Sequence, residues 1–385
     1  MSRLTEPTAP KHGPHVHAVQ ALIDPKAIAA NLRHLHDLLA GTHAQRPAPG
    51  TQIWAVVKAD AYGHGLHMVY PGLREADGLA VFSLQEALAC RRLGWTKPLL
   101  IMGTPFEADG DHDPGLFPVH WIIDDWRALR ELGRCPPGRP LYAWLRFRGQ
   151  LNHGGFGPAD YRPAYRLLAE LVRTGHVRGA GHLCHYACAE DPARLREERQ
   201  YFAVHRRGLP GPVCTENSAA LLLEPEAAGH THWARSGIAL YGISPLPDQS
   251  GLTLGLQPAM RLQAPLRDVL ALAAGARLGY GGDFLAPHDM QVGLVGCGYA
   301  YGYPRQPGPD ARVLVGGQLR RIIGRVTMDT LAIDVTGQAR PPRHAPVTLW
   351  GDARLPIEHV AHRAGMIPAQ LCTGLTARVL HRQVA

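Results

Sequence analysis

The chain has 385 residues, 45% of them hydrophobic and 19% charged. That length exceeds what one hydrophobic core usually fills, so two domains are expected, and no apolar run approaches the ~18 residues that a membrane span needs. The formal charge of +8 comes from scattered cations, which argues against a nucleic-acid surface and favours small anionic ligands.

Met1 to Gln20 holds no apolar core flanked by a cleavage site, so it does not read as a secretory signal, and the cytoplasm is the expected address. Residues 1–15 are expected to form a flexible N-terminal segment. Residues 24–40 read as a helix: Asp24 can cap it, Pro25 suits the first turn, and Ile28, Leu32, Leu35 and Leu39 share one face. The next apolar run, Trp54-Ala55-Val56-Val57, is closed by Lys58. Further runs follow at Leu79 to Phe82, Pro98 to Met102, Val119 to Ile123, Leu141 to Leu145, Gly179 to Tyr186, Val213 to Thr215 and Trp233 to Leu240. Helix openings lie between them, among them the capping box Ser83-Leu84-Gln85-Glu86 and the Asp191-Pro192 start. With the lysine run the strands make eight, which matches a (β/α)8 TIM-like barrel over residues 24–245, with its chemistry at the C-terminal ends of the strands.

From Pro245 to Pro258 a Pro/Gly/Ser-rich stretch interrupts the helical pattern and marks the domain boundary. Beyond it, Gln291 to Val295, Arg312 to Val315, Leu319 to Val326, Leu331 to Val335 and Pro346 to Trp350 are short, branched and separated by Gly or Pro. They predict a mainly antiparallel β-domain over residues 258–385. Gly279-Tyr280-Gly281-Gly282 and Gly296-Cys297-Gly298 lack the strand, spacing and acidic residue of a dinucleotide fingerprint. The seven cysteines have no C-x-x-C spacing, and Cys184, His185 and Cys188 lack a fourth ligand, so free thiols are expected and no metal.

Only four lysines (Lys11, Lys26, Lys58, Lys97) occur against 36 arginines. A lysine kept in such a chain at a strand end points to chemistry that needs a primary amine, such as condensation with an aldehyde cofactor; a snorkelling lysine is the alternative. The run Ala55-Val56-Val57-Lys58-Ala59-Asp60-Ala61-Tyr62-Gly63-His64-Gly65 resembles the pyridoxal-phosphate lysine segment of the alanine racemases. Other pieces similar to that family follow in order: Gly181 to Ala187, Asn217-Ser218, Ala234 to Gly242, Gly279-Tyr280-Gly281, Gly298 to Arg305 and Gly324 to Asp329.

The resemblance implies pyridoxal 5'-phosphate as cofactor, an amino acid as substrate and a two-base racemisation with Lys58 and Tyr280 on opposite faces. It implies that His185 assists the tyrosine and that Arg235 contacts the pyridine nitrogen. Tyr62, Asn217, Ser218, Gly237, Ile238 and Tyr299 fall on cofactor-binding positions, and Met328 and Asp329 on substrate-binding ones. In this family the second base comes from the partner's β-domain, so a homodimer with shared active sites is expected. The family also adds a strand from about Val16 to Ile23 to the β-domain.

The chain departs from the family at four positions. Arg146 stands where a carbamylated lysine is usual, and His153 where an arginine follows it; one reading has Arg146 reach the cofactor hydroxyl or the substrate carboxylate while His153 only positions it, and the other is lysine-to-arginine drift with a weakened site. Tyr301 replaces an acid and Ala369 a phosphate-binding tyrosine. The leading expectation is an alanine racemase, with a racemase of another amino acid or a cofactor-binding homologue of little activity as alternatives.

Overall fold

The structure, a computed structural model, describes residues 18–41, 50–103, 116, 118–137, 141–337 and 341–384. The N-terminal segment 1–15 lies outside the described residues. The helix Pro25–Ala40 forms as its periodicity predicts, with Asp24 Oδ1 accepting from the amides of Lys26 (2.8 Å) and Ala27 (3.3 Å) and with Ile28, Leu32, Leu35 and Leu39 buried.

Strand β1 (Gln20–Ile23) precedes that helix, and eight parallel strands follow: β2 (Gln52–Val56), β3 (Gly78–Val81), β4 (Leu99–Ile101), β5 (Val119–Ile123), β6 (Leu141–Phe147), β7 (Gly179–Cys184), β8 (Val213–Cys214) and β9 (Trp233–Ser236). They close into a barrel, β9 returning to β2 with Trp54 opposite Arg235. Successive side chains of a strand alternate between the interior and the surrounding helices. Trp54, Val56, Leu100, Ile122, Trp144, Leu183, Cys214 and Trp233 therefore pack into one inner cluster with the half-buried Tyr142. Trp54 and Trp233 stack with centroids 3.9 Å apart, and Trp144 Nε1 donates to His120 Nδ1 at 3.0 Å. This aromatic filling makes the barrel a packed core that is open for chemistry only at its rim.

The second domain contains β10 (Met260–Leu272), β11 (Arg277–Leu278), β12 (Phe284–Leu285), β13 (Met290–Val295), β14 (Arg312–Val315), β15 (Gln318–Ile323), β16 (Leu331–Asp334), β17 (Pro346–Trp350) and β18 (Leu380–Gln383). Its main sheet runs β13-β16-β15-β14-β17-β10-β1-β18, with β13 also paired to β10. All pairs are antiparallel except β1 with β18. The 13-residue β10 was not among the expected strands; register shifts at Leu262/Gln263 and Leu266/Asp268 break its alternation. No helix of the described residues is long and apolar enough to cross a membrane.

Three histidines are held neutral in the interior. Burial pushes His64, His120 and His182 down to about 4, and the His182 ring is fixed between Tyr161 Oη (2.8 Å) and the Pro210 carbonyl (3.0 Å). The unfolded chain takes up these protons first as pH falls from 6.5, so the stability they contribute is complete above that value and is lost toward about 4, at up to ~1.4 kcal/mol per pH unit for each group. Urea midpoints should therefore drop across this window. In His120→Phe, which keeps a ring but takes up no proton, the decline should be shallower.

Candidate active site

The alternation that fills the barrel also selects what stands at its rim. Trp54 and Val56 face inward, and the next position of that parity is Lys58; Ile122 is followed by Asp124, Trp144 by Arg146, Leu183 by His185 and Trp233 by Arg235. Two cationic arginines, one lysine, one histidine and one carboxylate thus meet at the C-terminal mouth.

Lys58 opens a turn in which Ala59, Asp60, Ala61 and Tyr62 have φ between 50 and 56°, one left-handed helical turn of non-glycine residues. Each residue in that conformation costs roughly 1–2 kcal/mol, so the surroundings must impose it. Glu86 Oε1 accepts from the Ala59 amide (2.8 Å), Asp60 Oδ1 from the Leu66 amide (2.7 Å), and His381 Nε2 donates to the Gly63 carbonyl (2.9 Å). Glu86 is also the acid of the predicted capping box and takes the amides of Phe82 and Ser83 through Oε2. Among the described residues the Lys58 amine makes no hydrogen bond. Burial holds its pKa below the usual lysine value; Glu86 opposes that shift and Arg235 adds to it.

Arg235 is buried and, among the described residues, has no carboxylate partner. Its Nη1 donates to the Cys214 carbonyl and Sγ (both 2.9 Å), and its Nη2 to the carbonyls of Cys184 (2.9 Å) and Thr215 (3.1 Å) and to His185 Nδ1 (3.3 Å). A guanidinium only donates, so His185 Nδ1 accepts and its proton sits on Nε2. Burial, then Arg235, Arg146 and Lys58, push His185 down to about 3, which keeps the ring neutral. The chain end of β8, which supplies the Cys214 and Thr215 acceptors, leads into the fully buried Glu216, paired to Arg199 at 2.8 Å.

A small polar cradle lies beside this group. Ser218 Oγ accepts from the Gly237 amide (2.9 Å), and a Cβ on Gly237 would lie 2.5 Å from the Tyr62 hydroxyl, so only glycine leaves that space open. Ser236 Oγ is buried nearby in the chain without a hydrogen-bond partner. Ile238 follows in the short helix Ile238–Tyr241. Asn217 caps the helix Ser218–Leu223 by accepting from the Ala220 amide (3.0 Å) and donates to the Tyr186 carbonyl (3.3 Å), so its amide acts on the backbone.

At the opposite side of the mouth, Arg146 Nη2 donates to the His153 carbonyl (2.6 Å), while the His153 side chain is exposed. His153 therefore meets Arg146 through its backbone alone. Sequence reasoning missed Asp124. A Cβ on Gly154, at φ +72°, would lie 3.1 Å from Arg146 Nη1 and 3.3 Å from Asp124 Oδ2, so the two charged groups face one another over this glycine. Burial lowers the Arg146 pKa and Asp124 counters it, and Arg146 Nε remains buried without a partner. The detectable signal was the inward parity of Asp124 after Ile122.

The remaining expected site residues form a second group on the β-domain. Tyr280 is 72% exposed, Met328 53% and Tyr299 39%. The amides of Tyr299 and Ala300 donate to the carbonyls of Thr327 (3.1 Å) and Met328 (3.0 Å), and the Tyr280 loop is tied by Asp283 to Arg325 at 2.5 Å. No hydrogen bond or ion pair of the described residues joins this group to Lys58.

Residues 23–245 match the family model described as alanine racemase, N-terminal domain, and residues 259–383 the one described as alanine racemase, C-terminal domain. The chain is 36% identical to the alanine racemase of Bordetella avium over 362 residues, covering 93% of this chain and 97% of the relative. The crystal structure of the biosynthetic alanine racemase from Pseudomonas aeruginosa is similar with a TM-score of 0.84 at 35% identity, covering 96% of this chain and 100% of the other. The alanine racemase of Bartonella henselae, described with covalently bound pyridoxal phosphate, shares the fold at 23% identity with a TM-score of 0.80, covering 95% and 99%. Coverage of both domains at this identity establishes that the chain belongs to the alanine racemase family.

Proposed function

We propose that this chain is a pyridoxal-phosphate-dependent alanine racemase that works as a homodimer by a two-base mechanism. The observation that carries the reading is the unpartnered Lys58 amine, with a lowered pKa, in one mouth with neutral His185 and buried Arg235. The residues fit the cofactor: an amine for its aldehyde, a fixed cation for its ring nitrogen, and the open Gly237 cradle with the hydroxyls of Tyr62 and Ser218 for its phosphate. Tyr299 and the Ile238 amide complete the phosphate set, and Asn217 holds the helix that carries Ser218.

The bound cofactor supplies an electron sink for the carbanion left when the substrate loses its Cα proton. Lys58 moves that proton on one face, and the downward shift of its pKa by burial and Arg235 favours the free amine that a base requires. Tyr280 of a second copy moves it on the other face; its exposure within one chain, with no bond to Lys58 among the described residues, supports a role across an interface. His185 presents an N–H at Nε2 to the phenol oxygen and so favours its ionised form. Arg235, permanently charged and tied to carbonyls, has no proton to share with the ring nitrogen, which weakens the electron sink and favours return of the proton. The substrate carboxylate is met by Arg146, held by the His153 carbonyl and faced by Asp124, and by the exposed Met328-Asp329 turn. Seven cysteines without C-x-x-C spacing, six of them buried, support a reducing compartment such as the cytoplasm.

Arginine at position 146 leaves a second reading, a racemase of another amino acid. Incubation of protein and cofactor with single L-amino acids in deuterated water decides between them: Cα exchange with loss of chirality confined to alanine supports the proposal, exchange confined to another amino acid replaces the substrate, and no exchange rejects an enzyme. Lys58→Arg should abolish covalent cofactor attachment, read by borohydride reduction and mass spectrometry, and lower turnover by at least about 10²-fold. Arg146→Ala should raise KM for the amino acid by about tenfold or more with a smaller change in kcat, as loss of a hydrogen bond to a charged group predicts. Gly237→Ala should weaken cofactor binding by about tenfold, measured by equilibrium dialysis, because a methyl group enters the space beside Tyr62.

A further inference from the structure

The turn Thr327–Thr330 is closed on itself: the Thr327 amide donates to the Thr330 carbonyl (2.9 Å), and the two threonine hydroxyls lie 2.9 Å apart. The Tyr299–Tyr301 segment then takes the carbonyls of Thr327 and Met328, and Gly298 must be glycine because a Cβ there would run into both carbonyls. These bonds use the Met328 carbonyl and leave its amide without an internal acceptor among the described residues. A free N–H on a half-exposed residue is a ready donor for a carboxylate. The next residue, however, is Asp329, whose own exposed carboxylate would repel an incoming one.

A third chain segment resolves that conflict. Arg378 Nη2 pairs with Asp329 Oδ1 at 2.8 Å and donates to the Tyr301 hydroxyl at 3.2 Å, while its Cζ lies 4.2 Å from the Tyr301 ring centroid. The segment is anchored in turn by Thr376 Oγ1, which donates to the Ala300 carbonyl at 2.8 Å. Tyr301 therefore gives the guanidinium a flat seat and one acceptor without neutralising it, and the positive charge remains available to Asp329. An acidic residue at 301 would compete for the same cation.

We propose that Arg378 is a positioning residue for the substrate carboxylate: by pairing with Asp329 it cancels the negative charge beside the Met328 amide and fixes the turn that presents it. The inference rests on the proposed function, in which this turn faces the partner's Lys58 site.

The test uses the full-length holoenzyme, with acetate as the carboxylate probe in titration calorimetry beside steady-state kinetics. Arg378→Gln should weaken acetate binding and raise KM for the amino acid by about tenfold with kcat changed less than about threefold. Raising the salt concentration should narrow its gap to wild type, since screening weakens the exposed Asp329 charge. Arg378→Lys, which keeps the charge, should stay within about threefold of wild type in both measurements. Wild-type acetate affinity and KM in Arg378→Gln, or a Lys variant as impaired as the Gln variant, would overturn the inference. Sedimentation checks that each variant keeps its oligomeric state, and if the Gln variant does not, the Lys variant alone decides. Absence of both turnover and acetate binding in the wild-type holoenzyme would instead sink the proposed function.

Discussion

Arg235 is a buried guanidinium seated on carbonyl oxygens rather than on a carboxylate, and the chemistry of the barrel mouth depends on that choice. A carboxylate partner would have neutralised its field. Carbonyl dipoles instead satisfy its donors and leave the positive charge acting on its neighbours. His185 is one of these and stays neutral with its proton on Nε2; Lys58 is another, and its ammonium form is disfavoured by burial and by the same cation. Glu86 opposes the shift on Lys58, but both of its oxygens are engaged by backbone amides of the lysine turn and the following capping box. One fixed cation thus helps tune two groups that a proton-moving site requires in their uncharged forms.

Such a mouth demands a stiff support, and the chain supplies it from segments far apart in sequence. The left-handed turn after Lys58 would not persist by itself at ~1–2 kcal/mol for each of its non-glycine residues. It is held from the barrel by Glu86 and from the β-domain by His381, and Gly63 passes so close to the Cys372 carbonyl that no side chain fits there. The β-domain is therefore part of the device that aims the lysine. Tyr241 adds a bond from its hydroxyl to the Val56 carbonyl, at the last residue of the lysine strand.

Much of this was legible in the sequence where local patterns decide the structure. The capping box at Ser83 to Glu86, the helix after Asp24 and the bounds of Val119 to Ile123 and Pro346 to Trp350 all follow from turn chemistry and apolar runs that need no distant partner. What escaped was set by contacts at long range. Strand β10 carries Pro265 and two register shifts, so its alternation is readable only against the neighbours β1, β13 and β17. The left-handed turn has glycine only at its end, and nothing in Ala59-Asp60-Ala61-Tyr62 announces it. Asp124 was overlooked because its meaning lies in a cation two strand positions beyond Trp144 on the neighbouring strand. Motif resemblance singled out Lys58, His185 and Arg235, whereas the neutral state of His185 and the lowered pKa of Lys58 needed the packed geometry.

The departures from the family pattern become coherent once charge is followed through space rather than along the motif. At 146 an arginine sits where the family has an anionic lysine derivative, yet a carboxylate has not vanished from that side of the mouth, because Asp124 faces the arginine over Gly154. At 301 a tyrosine sits where the family has an acid, and the neighbouring Arg378 keeps its charge for Asp329. In each case a charge-bearing position has changed sign or lost its charge while a residue on another segment restores the local balance. Charge balance is a property of the assembled pocket, so single motif positions can change while the electrostatic demand on the site persists. Arg146 Nε is buried and, among the described residues, without a partner, so this side of the mouth keeps an open donor whose chemistry suits a carboxylate.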